Sequence, residues 1–541
     1  MYKQKISNKS FESGPLILSK SGYYYLCEDI YINFLKNIDD IWKHNKNNNF
    51  GFTAGIIIIG NDIILDLNGF SIQQSIQDYC LQRFFALIQL NDMPFNIGHG
   101  PILETRTKLQ TGINITIKNG TFGLTSHQAI LGNNNKNLKL KNITVTNFEV
   151  SGITLNAVDN LKFYCSKIDS SNTNIPITPY FSGFIFIFKL LSTIKSMEDK
   201  KDINDMIQNI LDKIKSYYQP YIEKIYSVKR LDEITKYFKK TDLFINFDKN
   251  THCNMHGIKI TGANPSVHNL NNSVNIDEKL NSKNIKLKNL TIKNLSAKTN
   301  EDFLLGYKDK SLHIGSGVVL SLNFITLNTN ITNFVIEIIE MIQQLIKKYP
   351  HLNKLIKTNI NDDIIKSIKK ISIGEKLTDD ESKNFFIMRN CDVMGHINKG
   401  TIGIRLGSSI NCDLKNISID NISNNGIINN NLETLKNKYN IKNDQILDSG
   451  TDGIKNLSGN YAIGLISSGI SDSKFNKLSI NDIKSTNSKG IGMFVNNECD
   501  NIDINEIKIK NINSNNEIND CSTILVDEKA NNISLYDVKI N

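Results

Sequence analysis

One short phrase recurs along this chain of 541 residues and dictates its fold. It reads Asn137-Leu-Lys-Leu-Lys-Asn-Ile-Thr-Val-Thr-Asn147, then Asn284-Ile-Lys-Leu-Lys-Asn-Leu-Thr-Ile-Lys-Asn294. It returns as Asn411-Cys-Asp-Leu-Lys-Asn-Ile-Ser-Ile-Asp-Asn421 and Asn501-Ile-Asp-Ile-Asn-Glu-Ile-Lys-Ile-Lys-Asn511, with looser copies from Asn160 and Asn532. Apolar and polar residues alternate, which is the period of a strand. A second phrase precedes the first at near-constant distance. Ala129-Ile-Leu-Gly, Gly152-Ile-Thr-Leu and Gly403-Ile-Arg-Leu each start eight residues before a copy; Gly492-Met-Phe-Val and Thr523-Ile-Leu-Val start nine before. The uninterrupted unit, Asn114 to Asn137 or Asn137 to Asn160, is 23 residues. Such a repeat predicts an all-β solenoid in which each unit is one turn of a parallel β-helix. Each strand then pairs with its equivalent one coil along, ~4.8 Å away. Ile, Leu and Val line the bore, and Lys, Thr and Ser point out.

The asparagines have a physical reason for their spacing. A corner between short strands needs a residue in the left-handed region, which Asn tolerates better than nearly any other side chain. Stacked on successive coils, Asn amides can hydrogen-bond into a ladder.

Composition adds bounds. Apolar content is an ordinary 40%, and the net charge of +9 comes from lysines spread along the chain, a weak pull towards a polyanion. Eight scattered cysteines contain no C-x-x-C pair, which argues against a disulfide framework or zinc ribbon and fits synthesis in a reducing cytoplasm. Cys412 stands where sister copies carry Leu or Ile, a small core position. The sequence shows no secretory signal and no run of ~20 apolar residues for a membrane span.

The expected organisation is an N-terminal cap over residues 1–54 and a parallel β-helix over 55–541. Insertions are expected at about 73–112, 174–250 (partly helical), 265–283, 298–315, 329–383 (helical) and 424–459. Ile203, Met206, Ile207, Ile210, Leu211, Ile214, Tyr217 and Tyr218 recur at helical spacing in one. Ile331, Phe334, Val335, Ile338, Ile339, Ile342, Leu345 and Ile346 do so in another, and Ile360, Ile364, Ile365 and Ile368 continue the habit. Phe386-Ile-Met-Arg-Asn-Cys-Asp-Val is read as the return to the coil, with Asn390 at a corner. The helical stripes would either pack on the outer wall or bind a partner.

With these coils in view, the chain resembles the right-handed parallel β-helix, or pectin-lyase-like, superfamily. The resemblance runs from about Gly55 to Asn541 outside the insertions, and it rests on the repeats and on the opening strand Ile63-Ile-Leu-Asp-Leu-Asn-Gly-Phe-Ser-Ile72. Gly22-Tyr-Tyr-Tyr-Leu-Cys-Glu-Asp-Ile30 and the Asn/Ile/Lys bias resemble uncharacterised β-helix proteins of amoeba-infecting giant DNA viruses. The superfamily implies polysaccharide lyases, polygalacturonase-like glycosidases, epimerases, homotrimeric tailspikes and non-catalytic adhesins, and fold alone does not choose among them.

Glycoside hydrolysis requires two carboxylates facing one cleft. The outward positions of the Gly-Ile-x-Leu strand are Thr154, Lys259, Val319 and Arg405, with Asn156 beside them. Nearby carboxylates (Asp159, Asp472, Glu498, Asp500, Asp527, Glu528) fall singly, as sequence neighbours or at strand ends. Gly98-His99-Gly100 matches a polygalacturonase motif by letter, but Asn-Thr-Asp is missing, and Asp362-Asp363 and Asp379-Asp380 lie in the helical insertion. His252-Cys253-Asn254-Met255-His256 offers possible zinc ligands without a marked third and fourth partner. Lys224, Lys229, Arg230, Lys236, Lys239 and Lys240 form a basic stretch interrupted by Asp232 and Glu233. No catalytic, cofactor-binding or metal residue is therefore assigned.

The reading is a non-catalytic structural or attachment protein, a giant-virus surface component by resemblance, presenting loops to a glycan or protein partner. A carbohydrate-active enzyme with an unrecognised site is the alternative. A polyanion or nucleic-acid binder is a second one, and it requires Lys and Arg gathered into one stripe.

Overall fold

The computed structural model describes residues 2–42, 52–82, 84–94, 109–171, 179–238, 252–253, 256–262, 280–298, 304–307, 313–314, 329–354, 356–357, 363, 366–367, 369–370, 373–383, 385–389, 400–425, 432–441, 446–448, 461–486, 489–514 and 521–540. Among these, 22 strands belong to one sheet. Its pairings are parallel, apart from His252–Cys253 against the end of Ser282–Lys298. Strand-on-equivalent-strand pairing is the architecture of a β-helix-like solenoid. Leu138, Leu161, Ile285 and Cys412 stand in one column, all at most 1% exposed. Cys412 is thus the bore residue its sister copies predict.

The corners follow the asparagines. On three coils every fifth residue (Asn137, Asn142, Asn147; Asn284, Asn289, Asn294; Asn411, Asn416, Asn421) has a left-handed φ between 52° and 58°. The side chains stack as the spacing implies. Asn137 Nδ2 donates to Asn114 Oδ1 at 2.7 Å, and Asn160 donates to Asn137 at 2.7 Å. Asn411, Asn416 and Asn421 donate to Asn284, Asn289 and Asn294 at 2.7, 2.9 and 2.9 Å. Cys165 occupies one such corner with φ 48°. The glycine of the Gly-Ile-x-Leu phrase answers to a different constraint. A β-carbon on Gly403 would lie 2.6 Å from the Gly464 carbonyl oxygen of the next coil, so the two backbones require its absence.

Three expected boundaries change. Coil pairing begins inside the region read as a cap. Gly22–Leu26 pairs with Ile63–Asp66, Leu16–Leu18 with Phe52–Ile58, and Ile30–Ile32 with Ser71–Gln74. Phe84–Gln89, inside the 73–112 insertion, is a coil strand between Phe52–Ile58 and Gln128–Asn133. It lacks alternation because both of its faces are covered: Phe85 to Gln89 are at most 3% exposed. Phe385–Arg389 does not resume the coil. It pairs with Leu304–Tyr307 and Ile446–Asp448 in a separate three-stranded sheet. Ser282–Lys298 stacks directly on Thr401–Asn424, with no described coil strand between them. A short apolar strand pairs with any compatible edge, because nothing in its own pattern specifies one register. Asn390 lies outside the described residues.

The described α-helices are α1 (Ile38–Trp42), α2 (Ile76–Leu81), α3 (Pro179–Met197), α4 (Lys201–Ser227), α5 (Leu231–Phe238), α6 (Thr329–Lys348), α7 (Asp379–Ser382) and α8 (Leu432–Tyr439). Both expected stripes are interior. Ile203, Ile207, Ile210 and Ile214 of α4 join Ile338, Ile339, Ile342 and Leu345 of α6 in a second core. Leu35, Ile41, Tyr79 and Leu124 of the N-terminal part complete it, and Tyr217 stacks on Phe334 with ring centroids 3.9 Å apart. Ile360, Ile364, Ile365 and Ile368 lie outside the described residues. No described helix is long and apolar enough to cross a membrane.

A buried polar seam joins the helices to the coils. Asp78 has no exposed surface and accepts the backbone N–H groups of Phe34 and Leu35 at 2.8 and 2.9 Å. Tyr226 of α4 donates to the Leu35 carbonyl at 2.7 Å, and the Trp42 indole N–H donates to Gln219 at 2.9 Å. Burial pushes the Asp78 carboxyl up to about 7 and the Lys189 ammonium down to about 8.

Two predictions follow from the ladder and the seam. Asn137→Ala loses both a tolerated left-handed residue and a ladder rung, so urea titration should show a loss of about 2 kcal/mol. Asn137→Gly keeps the backbone freedom and should lose less; equal losses would sink the corner account. Asp78 binds its proton more tightly folded than unfolded, where an aspartate titrates at about 3.9. Its contribution is therefore whole below about pH 4 and is lost as pH rises through about 7. Urea midpoints between those values should fall with pH in the wild type and flatten in Asp78→Asn.

Candidate functional site

The outward row expected on the Gly-Ile-x-Leu strand exists. Thr154, Lys259 and Arg405 are register partners on successive coils, followed by Ile466 and Phe494. Val319 lies outside the described residues. Beside this row, Asn156 donates to Asn133 at 2.8 Å and Thr261 donates to Asn156 at 2.8 Å. The strand is covered where a cleft would have to open: Ser151 is 1%, Thr154 5% and His256 2% exposed. Further along, Ile402, Ile463, Ile466, Ile491 and Phe494 form an apolar cluster on this face.

His252 and His256 do not share one strand. His252–Cys253 is a separate two-residue strand against Ala297 and Lys298, and His256 begins His256–Thr261. No described group of three or more His, Cys, Asp or Glu side chains is placed to hold a metal ion. Gly98-His99-Gly100 and Asp362 fall outside the described residues. Asp363 pairs with Lys366 at 3.8 Å, and Asp380 with Lys383 at 2.9 Å. In the basic stretch, Asp232 takes Arg230 at 2.8 Å and Lys236 at 3.5 Å, while Lys239 and Lys240 are outside the described residues.

The acidic groups of the coils hold the ladders together. Asp159 accepts Asn284 at 3.1 Å, Asp472 accepts Asn501 at 2.7 Å, and Asp500 accepts Asn532 at 3.0 Å. Glu498 stands at a left-handed corner, and Asp527 accepts the Lys529 backbone N–H at 2.9 Å. Burial alone would raise Asp66, but hydrogen bonds from Tyr23, the Asn68 backbone, Lys118 and Asn119 hold it below the usual carboxylate range. Asp169 is held low in the same way by Lys167 and Asn294, against its burial.

Between two Asn ladders lies a flat face four residues wide. One ladder runs through Asn137, Asn160, Asn284 and Asn411; the other runs through Asn142, Cys165, Asn289 and Asn416. Two residues per coil point inward here and two point outward. One outward row carries Lys139, Lys162 and Lys286 in direct succession. The adjacent row carries Lys118, Lys141, Tyr164, Lys288 and Lys415. Lys118 pairs with Asp66 at 3.1 Å and Lys288 with Asp413 at 2.9 Å. Lys139, Lys141, Lys162, Lys286 and Lys415 are exposed. This gathered stripe is the arrangement that the polyanion alternative requires. It was not evident from the sequence because Leu-Lys-Leu-Lys reads as a solvated strand; the signal was the return of Lys at the same two phrase positions.

No family model matches the chain, and no curated protein matches it. Among solved structures, two of the Streptococcus pneumoniae surface adhesin PfbA are similar to it. One is 9% identical, covers 98% of this chain and 81% of that chain, and has a TM-score of 0.20. The other is 10% identical, covers 97% and 90%, and has a TM-score of 0.15. At those scores neither bears on the fold or the function, which rest on the pairing and geometry above. The giant-virus resemblance rests on the quoted residues alone.

A prediction separates the two candidate faces. Arg405→Gln with Lys259→Gln, both half-buried on this strand, should lower the elution salt of a cation-exchange column only slightly. Lys139→Gln with Lys162→Gln, on the open face, should elute at clearly lower salt. Equal shifts would show that the two faces are equally open.

Proposed function

We propose that the chain is a non-catalytic attachment protein, a right-handed β-helix-like scaffold whose lateral surface and inter-coil excursions engage a glycan or protein partner. One observation supports this most. Asp159, Asp472 and Asp500 accept hydrogen bonds from ladder asparagines, Asp413 is paired with Lys288, and the middle coils present exposed ammonium groups between the ladders. Glycoside hydrolysis needs two carboxylates about 5–10 Å apart across a substrate, one of them free to donate a proton. A corner carboxylate tied to the neighbouring coil is arranged for cohesion. Row upon row of long cationic side chains is arranged for adhesion.

The test is turnover. Purified chain incubated with a panel of acidic and neutral polysaccharides should release neither reducing nor unsaturated ends, while retaining at least one of them in a pull-down. Sustained release of either end would overturn the attachment reading in favour of a carbohydrate-active enzyme.

A further inference from the structure

We propose that the lysine face between the two Asn ladders binds a linear sulfated glycan laid along the solenoid axis. The inference rests on the attachment reading and names its ligand class. The face spans five coils, from Ile113–Phe122 through Lys136–Val145, Asp159–Asp169 and Ser282–Lys298 to Thr401–Asn424. Coils repeat at ~4.8 Å and outward residues of one strand lie ~7 Å apart, so one row sets three successive ammonium groups over about 10 Å, and the adjacent row sets four, interrupted by Tyr164, over about 19 Å.

The charges are uncompensated where they are densest. Among the described residues no ion pair reaches Lys139, Lys141, Lys162, Lys286 or Lys415. Lys139, Lys162 and Lys286 stack directly on one another, an arrangement that repels. The same row changes character beyond them, where Asp413, Lys474 and Asp503 alternate in sign. The solenoid therefore tolerates a neutralised row, and the uniform one is confined to the middle coils.

Charge spacing selects the ligand. A linear glycan running along the axis sets roughly one sugar ring against each coil. A uronate polymer brings one charge per ring, whereas a sulfated polymer brings more than one and matches two lysine rows. Lysine suits a sulfate that is met as a point charge from an exposed surface, where bidentate Arg forks are not required. Single-stranded nucleic acid is bound through aromatic platforms interleaved with cations. This face offers only Tyr164, which is half-buried between lysines.

The test uses the full chain and four immobilised probes: heparin, polygalacturonate, poly-uridylate and neutral dextran. Heparin should bind most tightly, with an affinity that falls steeply with salt as counterions are released. The variant Lys139→Gln, Lys141→Gln, Lys162→Gln, Lys286→Gln should weaken heparin binding at least tenfold and flatten the salt dependence. A control variant of equal charge loss, Lys201→Gln, Lys215→Gln, Lys229→Gln, Lys347→Gln, should bind within about twofold of wild type. Neither variant should lower the thermal midpoint, because the altered lysines are exposed, and relief of the Lys139–Lys162–Lys286 repulsion should if anything raise it. Four outcomes would overturn the inference: no heparin binding at low salt, equal losses in both variants, polygalacturonate binding as tightly as heparin, or poly-uridylate binding more tightly. The attachment reading fails separately, by release of reducing or unsaturated ends from any probe that is a glycan.

Discussion

A left-handed backbone corner that recurs every five residues, with its asparagine amide bonded to the asparagine one coil away, is the constraint on which the rest of this structure depends. Three such corners turn the chain around one side of each coil. A residue with a β-carbon pays little to sit there only if its side chain is short and polar. The amide then needs a partner, and the next coil supplies it in a single register. Slipping by one residue would remove the rung and turn the bore residues outward. Between corners only four residues remain, two in and two out, so the lateral faces are narrow, flat and regular.

That geometry also sorts the charges. Acidic side chains that replace asparagine in a ladder, such as Asp62 and Asp472, accept from the neighbouring amide, and Asp500, one residue before a corner, does the same. Lysines cannot serve as acceptors, and in the middle coils they fall on the face between ladders; further along, Lys477 takes a corner and pairs with Glu506 at 3.7 Å. Cohesion and surface charge in the middle coils are thus set by the same five-residue spacing. The helical excursions follow different rules. Their stripes find each other and the N-terminal coils, and the seam is held by a carboxylate whose burial opposes its charge.

Legibility varied with the range of the interaction. The bore column through Cys412 and the corners at Asn137, Asn142 and Asn416 were readable because period and backbone preference are local. Phe84–Gln89 was missed because a strand covered on both faces loses the alternation that marks a strand. Phe385–Arg389 misled because its apolar run followed by Arg-Asn reads like a coil phrase, yet it pairs in another sheet. His252 and His256 looked like one ligand pair because four residues separate them in sequence, and the chain places them on different strands. The lysine rows were visible as letters but not as a surface, since the phrase does not say which copy stacks on which.

The sequence by itself determined the coil length, the residues of the bore and the positions of the corners. These are set within a single repeat, by alternation and by the few residues that accept a left-handed φ. The tertiary structure decided which coils are neighbours across the long excursions. Asn284 and Asn411 are 127 residues apart in sequence and in direct hydrogen-bond contact. No local period encodes that adjacency; it follows from covering the apolar rows and pairing strand edges across the excursions. It is also what places Lys286 beside Lys162, and so turns scattered positive charges into one continuous face.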